Sequence, residues 1–127
     1  MNYQLSKTSK RRLATCDERL QEIINEAIKI TPIDFGVACG HRTPEEQMEC
    51  FKAGTSKLDG INHLSKHNHS PSLAVDIYGY NNKALWDEKT LSILAGVILS
   101  IAIKKGFKIE WGGNWKSFKD YPHFEII

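Results

Sequence analysis

Residues 65–76, Ser-Lys-His-Asn-His-Ser-Pro-Ser-Leu-Ala-Val-Asp, constrain this chain more than any other stretch. A polar loop carrying two histidines runs straight into an apolar, strand-like segment that reaches a carboxylate. Side chains alternate along a strand, so Leu73, Val75 and Ile77 form one row and Ala74, Asp76 and Tyr78 the other. Asp76 therefore points to the face opposite the apolar row. Near the C-terminus, Asp120-Tyr-Pro-His123-Phe-Glu125 offers a further histidine with an aspartate three residues before it. Two histidines and an aspartate can hold a catalytic zinc, which takes three protein ligands and keeps a fourth position for water. The rest of the chain would then serve to bring these two segments together.

A chain of 127 residues suits one domain, residues 1–127, with a single core. With 41% apolar and 25% charged residues it has a globular composition, not a disordered one. The net charge of +2 is compatible with an anionic polymer but too mild to argue for nucleic acid. The basic run Lys7, Lys10, Arg11 and Arg12 reads as a solvated helix face. Cys16, Cys39 and Cys50 are odd in number and form no Cys-x-x-Cys pair. That speaks against a disulfide framework and a thiolate zinc site, and predicts three buried thiols. The N-terminus lacks the apolar run of a signal peptide, and the longest apolar stretch, residues 91–103, falls short of a roughly 18-residue membrane span. The expectation is a monomer without membrane insertion, kept in the cytosol or leaving it without a signal peptide.

Apolar residues at Leu13, Cys16, Leu20, Ile23, Ile24 and Ala27 predict one helix over residues 9–30, stopped by Thr31-Pro32. Residues 35–39 read as a short buried strand. Thr43-Pro44-Glu45-Glu46 is a strong helix start, and that helix ends near Ala53 with Gly54 as its cap. Residues 54–71 form a loop long enough to suggest function, and residues 73–80 a strand. After a turn at residues 81–83, a helix over residues 86–105, nearly all apolar between Ile93 and Ile103, belongs at the centre of the core, capped by Gly106. Strands at residues 107–111 and 123–127 flank a loop. Helices first and strands after indicate an α+β domain: a small, largely antiparallel sheet with about three helices around it.

Bound metal lowers the pKa of water from about 15.7 to about 7, and such a site still needs a base that is not a ligand. Asp120 precedes His123 by three residues, and Pro122 stiffens the approach and keeps Asp120 off the strand. A base so positioned contributes about 10²- to 10⁴-fold in rate. Plainer readings stand beside this one. His63, His67 and His69 suit a solvent-facing loop, His41 a polar position ahead of a helix, and Asp76 an ordinary strand acid.

The run Ser65-Lys66-His67 … Ala74-Val75-Asp76, followed by Trp111-Gly112-Gly113-Asn114-Trp115 and Asp120-Tyr121-Pro122-His123-Phe124-Glu125, resembles the LAS family of zinc peptidases. That family includes D-alanyl-D-alanine carboxypeptidases and dipeptidases and the L-alanyl-D-glutamate endopeptidases of phage lysins. Gly40-His41-Arg42-Thr43 … Gln47 and Gly54-Thr55-Ser56 resemble its arginine motif and the usual continuation. The resemblance implies a hedgehog/D-Ala-D-Ala-peptidase-like fold, Zn2+ as cofactor, and His67, Asp76 and His123 as metal ligands. It makes Asp120 the base that activates water and then protonates the leaving amine. Arg42 would bind the carbonyl oxygen or its oxyanion; the plain alternative is a surface arginine before a helix cap. Ser65 would hydrogen-bond substrate or steady the loop. Glu125, on the face of His123, suits an orienting partner or a surface salt bridge. Gln47 is the weakest candidate, equally readable as a helix surface residue.

One departure concerns the first ligand. The family spaces histidine and aspartate seven residues apart, whereas His67 and Asp76 are nine apart and His69 and Asp76 seven. Ser-Lys-His is the better local match, so His67 is the expected ligand and the loop after it holds the two extra residues. The expected function is a zinc-dependent peptidoglycan endopeptidase of the phage endolysin type, hydrolysing the L-alanyl-D-glutamate bond of the stem peptide and held in the host cytoplasm until release to the cell wall. The alternatives are a D-Ala-D-Ala carboxypeptidase or dipeptidase, and a non-catalytic zinc-containing wall-binding domain.

Overall fold

The computed structural model describes residues 3–60 and 64–127; His63 lies outside them. Among the described residues the chain forms four α-helices and a five-stranded antiparallel sheet. The region expected as one helix is two, α1 (Lys7–Leu13) and α2 (Glu18–Ile30). The break is tertiary in origin. Residues 15–17 pair with Ser72, through Ser72 N–H to the Thr15 carbonyl at 2.9 Å and Asp17 N–H to the Ser72 carbonyl at 2.8 Å. Asp17 then caps α2 by accepting from Arg19 N–H. Leu13, Cys16 and Leu20 are buried on both sides of the break, so the apolar spacing gave no sign of it.

Strand β1 (Phe35–Cys39) precedes α3 (Pro44–Lys52), which opens on a complete capping box between Thr43 and Glu46. Strand β2 (Ala74–Tyr80) turns at Asn82, in the left-handed region, into the short β3 (Ala84–Leu85), so the turn expected at residues 81–83 closes a hairpin. Helix α4 (Glu88–Lys105) is capped by Asp87 and by Gly106 at φ +77°, and leads to β4 (Ile109–Trp111) and β5 (His123–Ile126). The sheet order is β1-β2-β5-β4, with β3 paired to β2.

Register decides where the chemistry lies. Val75 pairs with Phe124, and Asp76 lies between Cys39 on β1 and His123 on β5. Val37, Val75, Ile77 and Phe124 are fully buried with Leu20, Ile23 and Ile24 of α2 and Leu91, Leu94 and Ile98 of α4. The alternate residues Asp76, His123 and Glu125 project from the opposite face. Of the cysteines, all free thiols, Cys16 is buried and its pKa is pushed up to about 12, chiefly by burial. Cys39 and Cys50 are only half-buried, contrary to expectation. Cys39 ends β1 on the site face, and Cys50 reaches the cavity described below.

Candidate metal centre

Three donor atoms from distant parts of the chain meet at one point. His67 Nε2 is 3.2 Å from Asp76 Oδ1 and 3.2 Å from His123 Nδ1, and His123 Nδ1 is 3.1 Å from Asp76 Oδ1. His123 and Asp76 are cross-strand neighbours. His67 arrives on a single 3-10 turn, Lys66–Asn68, closed by its own polar residues. His67 N–H donates to Ser65 Oγ at 3.2 Å, and Ser65 N–H to Asn68 Oδ1 at 2.8 Å. Arg42 N–H donates to the His67 carbonyl at 2.8 Å, and Asn68 Nδ2 to the Arg42 carbonyl at 2.9 Å. Lys66 Nζ reaches the Ile126 carbonyl at 2.9 Å, tying the same turn to β5.

The outer ring nitrogens have partners that fix the tautomers. His67 Nδ1 donates to the Gly40 carbonyl at 2.7 Å, and His123 Nε2 to Glu125 Oε1 at 2.7 Å. Each imidazole thereby turns its lone pair toward Asp76, the arrangement of a metal ligand oriented by a second acceptor. Without a metal the three groups share protons. Burial opposes a charge on His67, yet the Asp76 carboxylate raises its pKa to about 10. Burial likewise opposes a charge on His123, but Asp76 and Glu125 raise it to about 9. Burial would raise Asp76, and the two histidines hold it far below the ordinary carboxylate range.

Beside that trio, among the described residues two overlapping sets, each sharing two of its members, also have the donors and proximity to hold a metal ion. They are Cys39, His67 and Asp76, and Asp76, Asp120 and His123, each within 4.8 Å. Asp120 Oδ2 is 3.9 Å from His123 Nδ1, and burial followed by the nearby Asp76 charge raises its pKa. Its place depends on Gly112: a Cβ there would strike the Asp120 backbone carbonyl, and Asp120 N–H donates to the Gly112 carbonyl at 3.0 Å.

The structure brings Ser65, His67, Asp76, Asp120, His123 and Arg42 together around a cavity of about 620 Å³. His69 stands apart: it is exposed, and its backbone carbonyl accepts from His41 Nδ1 at 2.9 Å. Arg42 is half-buried, with Nη2 3.4 Å from Asp76 Oδ2 and 3.5 Å from Cys39 Sγ. Its Nη1 donates to Gln47 Oε1 at 2.7 Å. Gln47 is no surface residue: it is fully buried, and Nε2 donates to Ser56 Oγ and the Leu58 carbonyl at 2.7 Å each. A polar residue at a helix position gives no sequence sign of burial when its partners come from a following loop. Trp115, whose ring centroid is 5.2 Å from that of His123, also lines the cavity; the Trp-Gly-Gly-Asn-Trp motif marked it without assigning a role.

A family model described as phage L-alanyl-D-glutamate peptidase matches residues 1–126. The L-alanyl-D-glutamate peptidase of Escherichia phage T5 is 31% identical over 134 residues, spanning 99% of this chain and 90% of that protein. The peptidoglycan L-alanyl-D-glutamate endopeptidase CwlK of Bacillus subtilis (strain 168) is 32% identical over 105 residues, 75% of this chain and 62% of CwlK. The crystal structure of Serratia marcescens L-Ala D-Glu endopeptidase ChiX is similar with a TM-score of 0.81 at 26% identity, covering 100% of this chain and 90% of that one.

Proposed function

The chain belongs to the phage L-alanyl-D-glutamate peptidase family, and from that premise we propose that it is a zinc-dependent endopeptidase cutting the L-alanyl-D-glutamate bond of the peptidoglycan stem peptide. The observation that carries this reading is the meeting of His67 Nε2, Asp76 Oδ1 and His123 Nδ1 at separations of 3.1–3.2 Å. Donors about 2.0–2.1 Å from a tetrahedral zinc lie roughly 3.3 Å from one another, so this trio fits that ion with little adjustment. Two imidazole nitrogens and one carboxylate oxygen also match the ligand chemistry of catalytic zinc. Zinc held there would supply Lewis acidity, polarising the scissile carbonyl and making hydroxide available near neutral pH.

The surrounding side chains supply the rest. Asp120 takes a proton from the attacking water at Oδ2 and passes it to the departing amine of D-glutamate, as the carbon–nitrogen bond breaks and L-alanine keeps the new carboxylate. Its raised pKa suits a group that must hold that proton in mid-reaction. Arg42 directs a fixed positive charge at the developing oxyanion, with Gln47 holding the guanidinium. Ser65 steadies the turn that presents His67, and Glu125 keeps His123 in the tautomer that frees Nδ1.

The localisation that accompanies this reading is the host cytoplasm until release to the wall; among the described residues no helix is long and apolar enough to cross a membrane. The test is digestion of purified cell wall followed by mass spectrometry of the fragments. New N-terminal D-glutamate supports the endopeptidase. Released D-alanine would instead make the protein a carboxypeptidase, and intact wall would make it a binding module.

A further inference from the structure

A second cation stands in the wall of the same cavity, and among the described residues it forms no salt bridge. Lys57 lines the cavity together with Arg42, Asp76, Asp120 and Glu125. It is exposed, and among the described residues its ammonium contacts only the Phe118 ring, 5.5 Å from the centroid. Arg42 is already engaged by Gln47, Asp76 and Cys39. The mechanism above gives Lys57 no task.

The backbone that carries Lys57 is anchored on both sides. Gln47 Nε2 donates to Ser56 Oγ and to the Leu58 carbonyl, the residues before and after Lys57. Leu58 N–H closes the turn by donating to Ser56 Oγ at 3.1 Å. Gly60 packs flat on the same glutamine, where a Cβ would lie 2.8 Å from Gln47 Cβ. Since Gln47 Oε1 also accepts from Arg42, one buried amide sets the spacing between the two cations. This is a braced position, not a chance lysine on a loose loop.

The chemistry of the cavity says what such a cation is for. Asp76, Asp120 and Glu125 already bring three carboxylates to its lining, so a substrate carrying a further negative charge needs a positive one to meet it. Glutamate has two carboxyl groups. In a stem peptide one continues the chain, and the other is left as a free carboxylate or, when amidated, a neutral carboxamide. That group belongs to the residue whose amine departs. We propose that Lys57 is a specificity-determining residue that pairs with the free carboxylate of the D-glutamate residue, with Gln47 as the positioning residue that fixes it relative to Arg42. This rests on the endopeptidase reading. An exposed cation–π contact is weaker than a charge-assisted hydrogen bond, so the ammonium leaves Phe118 for the carboxylate when substrate enters.

The test is steady-state kinetics of the metal-loaded protein on two synthetic stem peptides, identical except that the D-glutamate carboxylate is free in one and amidated in the other. The unsubstituted protein should favour the free acid by roughly tenfold or more in kcat/KM, the range of a hydrogen bond to a charged group. Lys57→Gln should abolish that preference, with the change carried by KM and not by kcat. Lys57→Arg should retain most of it. In the Asp120→Asn background, calorimetry on the same peptides should show the same discrimination as a difference in Kd. Equal cleavage of both peptides by the unsubstituted protein overturns the assignment, as does a Lys57→Gln variant that slows both peptides alike and keeps the preference. Cleavage of neither peptide refutes the endopeptidase reading itself, and the role of Lys57 falls with it.

Discussion

His67 and His123 each commit one ring nitrogen to a fixed acceptor, Gly40 and Glu125, and that commitment aims the other nitrogen at Asp76. The nine-residue spacing from His67 to Asp76 is accommodated because the Lys66–Asn68 turn is held from outside the loop, by Arg42 and Ile126. His67→Ala should therefore lose bound zinc, measured by elemental analysis after dialysis, while His69→Ala should retain it. The reverse pattern would move the ligand two residues along. Asp120 is different in kind: 3.9 Å from His123 and off the inner trio, it serves proton transfer in this reading. Asp120→Asn is expected to keep its zinc and lose about 10²- to 10⁴-fold in kcat. Zinc loss in that variant would make Asp120 a ligand.

At the scale of elements, the end of β1 is where three parts of the fold touch. A Cβ on Gly40 would collide with the Thr15 hydroxyl and the Arg12 carbonyl at the α1–α2 corner, while its own carbonyl receives His67 Nδ1. Gly40→Ala should cost about 1–3 kcal/mol of stability through overpacking and also weaken zinc binding, since the backbone shift moves the acceptor. Gly96, on the exposed side of α4 with nothing within 4 Å of an added Cβ, is the contrasting case. Gly96→Ala should gain up to about 1 kcal/mol by helix propensity and leave zinc affinity unchanged. Chemical denaturation and a zinc-competition titration on both variants check the pair. The contrast also separates what was legible in the sequence from what was not. Signals spelled by neighbouring residues could be read directly: Thr43-Pro44 opening α3, Gly106 closing α4, the alternation that turned Asp76 away from the core. The α1–α2 break, the burial of Gln47 and the place of Cys39 beside Asp76 each depend on a partner far along the chain. No local pattern encodes such partners. Among the site residues, the Ser-Lys-His and Asp-x-x-His motifs pointed to the residues that meet, and the tether from Arg42 through Gln47 to residues 56–58 emerged only in three dimensions.

Across the whole molecule, α2 and α4 seal one face of the sheet and leave the other to a cluster of charge that the fold must balance with or without a metal. In the metal-free protein, protons on His67 and His123 provide that balance against Asp76. Both histidines have folded pKa values above the ordinary 6.5, at about 10 and about 9. Their contribution to stability is thus fully present below about pH 6.5 and is lost as pH rises through 9 to 10. Asp76 has the opposite sign. Its depressed pKa contributes above the ordinary 3.8 and is lost only on acidification. Zinc bound as proposed would take the same two lone pairs, so it would compete with those protons and replace them as the counter-charge. The Tm of the metal-free protein should consequently fall between pH 6.5 and 10, while that of the zinc-loaded protein stays nearly level. The gap between the two curves should widen with pH as zinc binding releases protons. The thiol of Cys16, raised to about 12 from 9.0, adds a loss in both forms at the alkaline end and cancels in the difference. Parallel melting curves over this range would mean that the metal does not displace protons from His67 and His123, and would remove them from the ligand set.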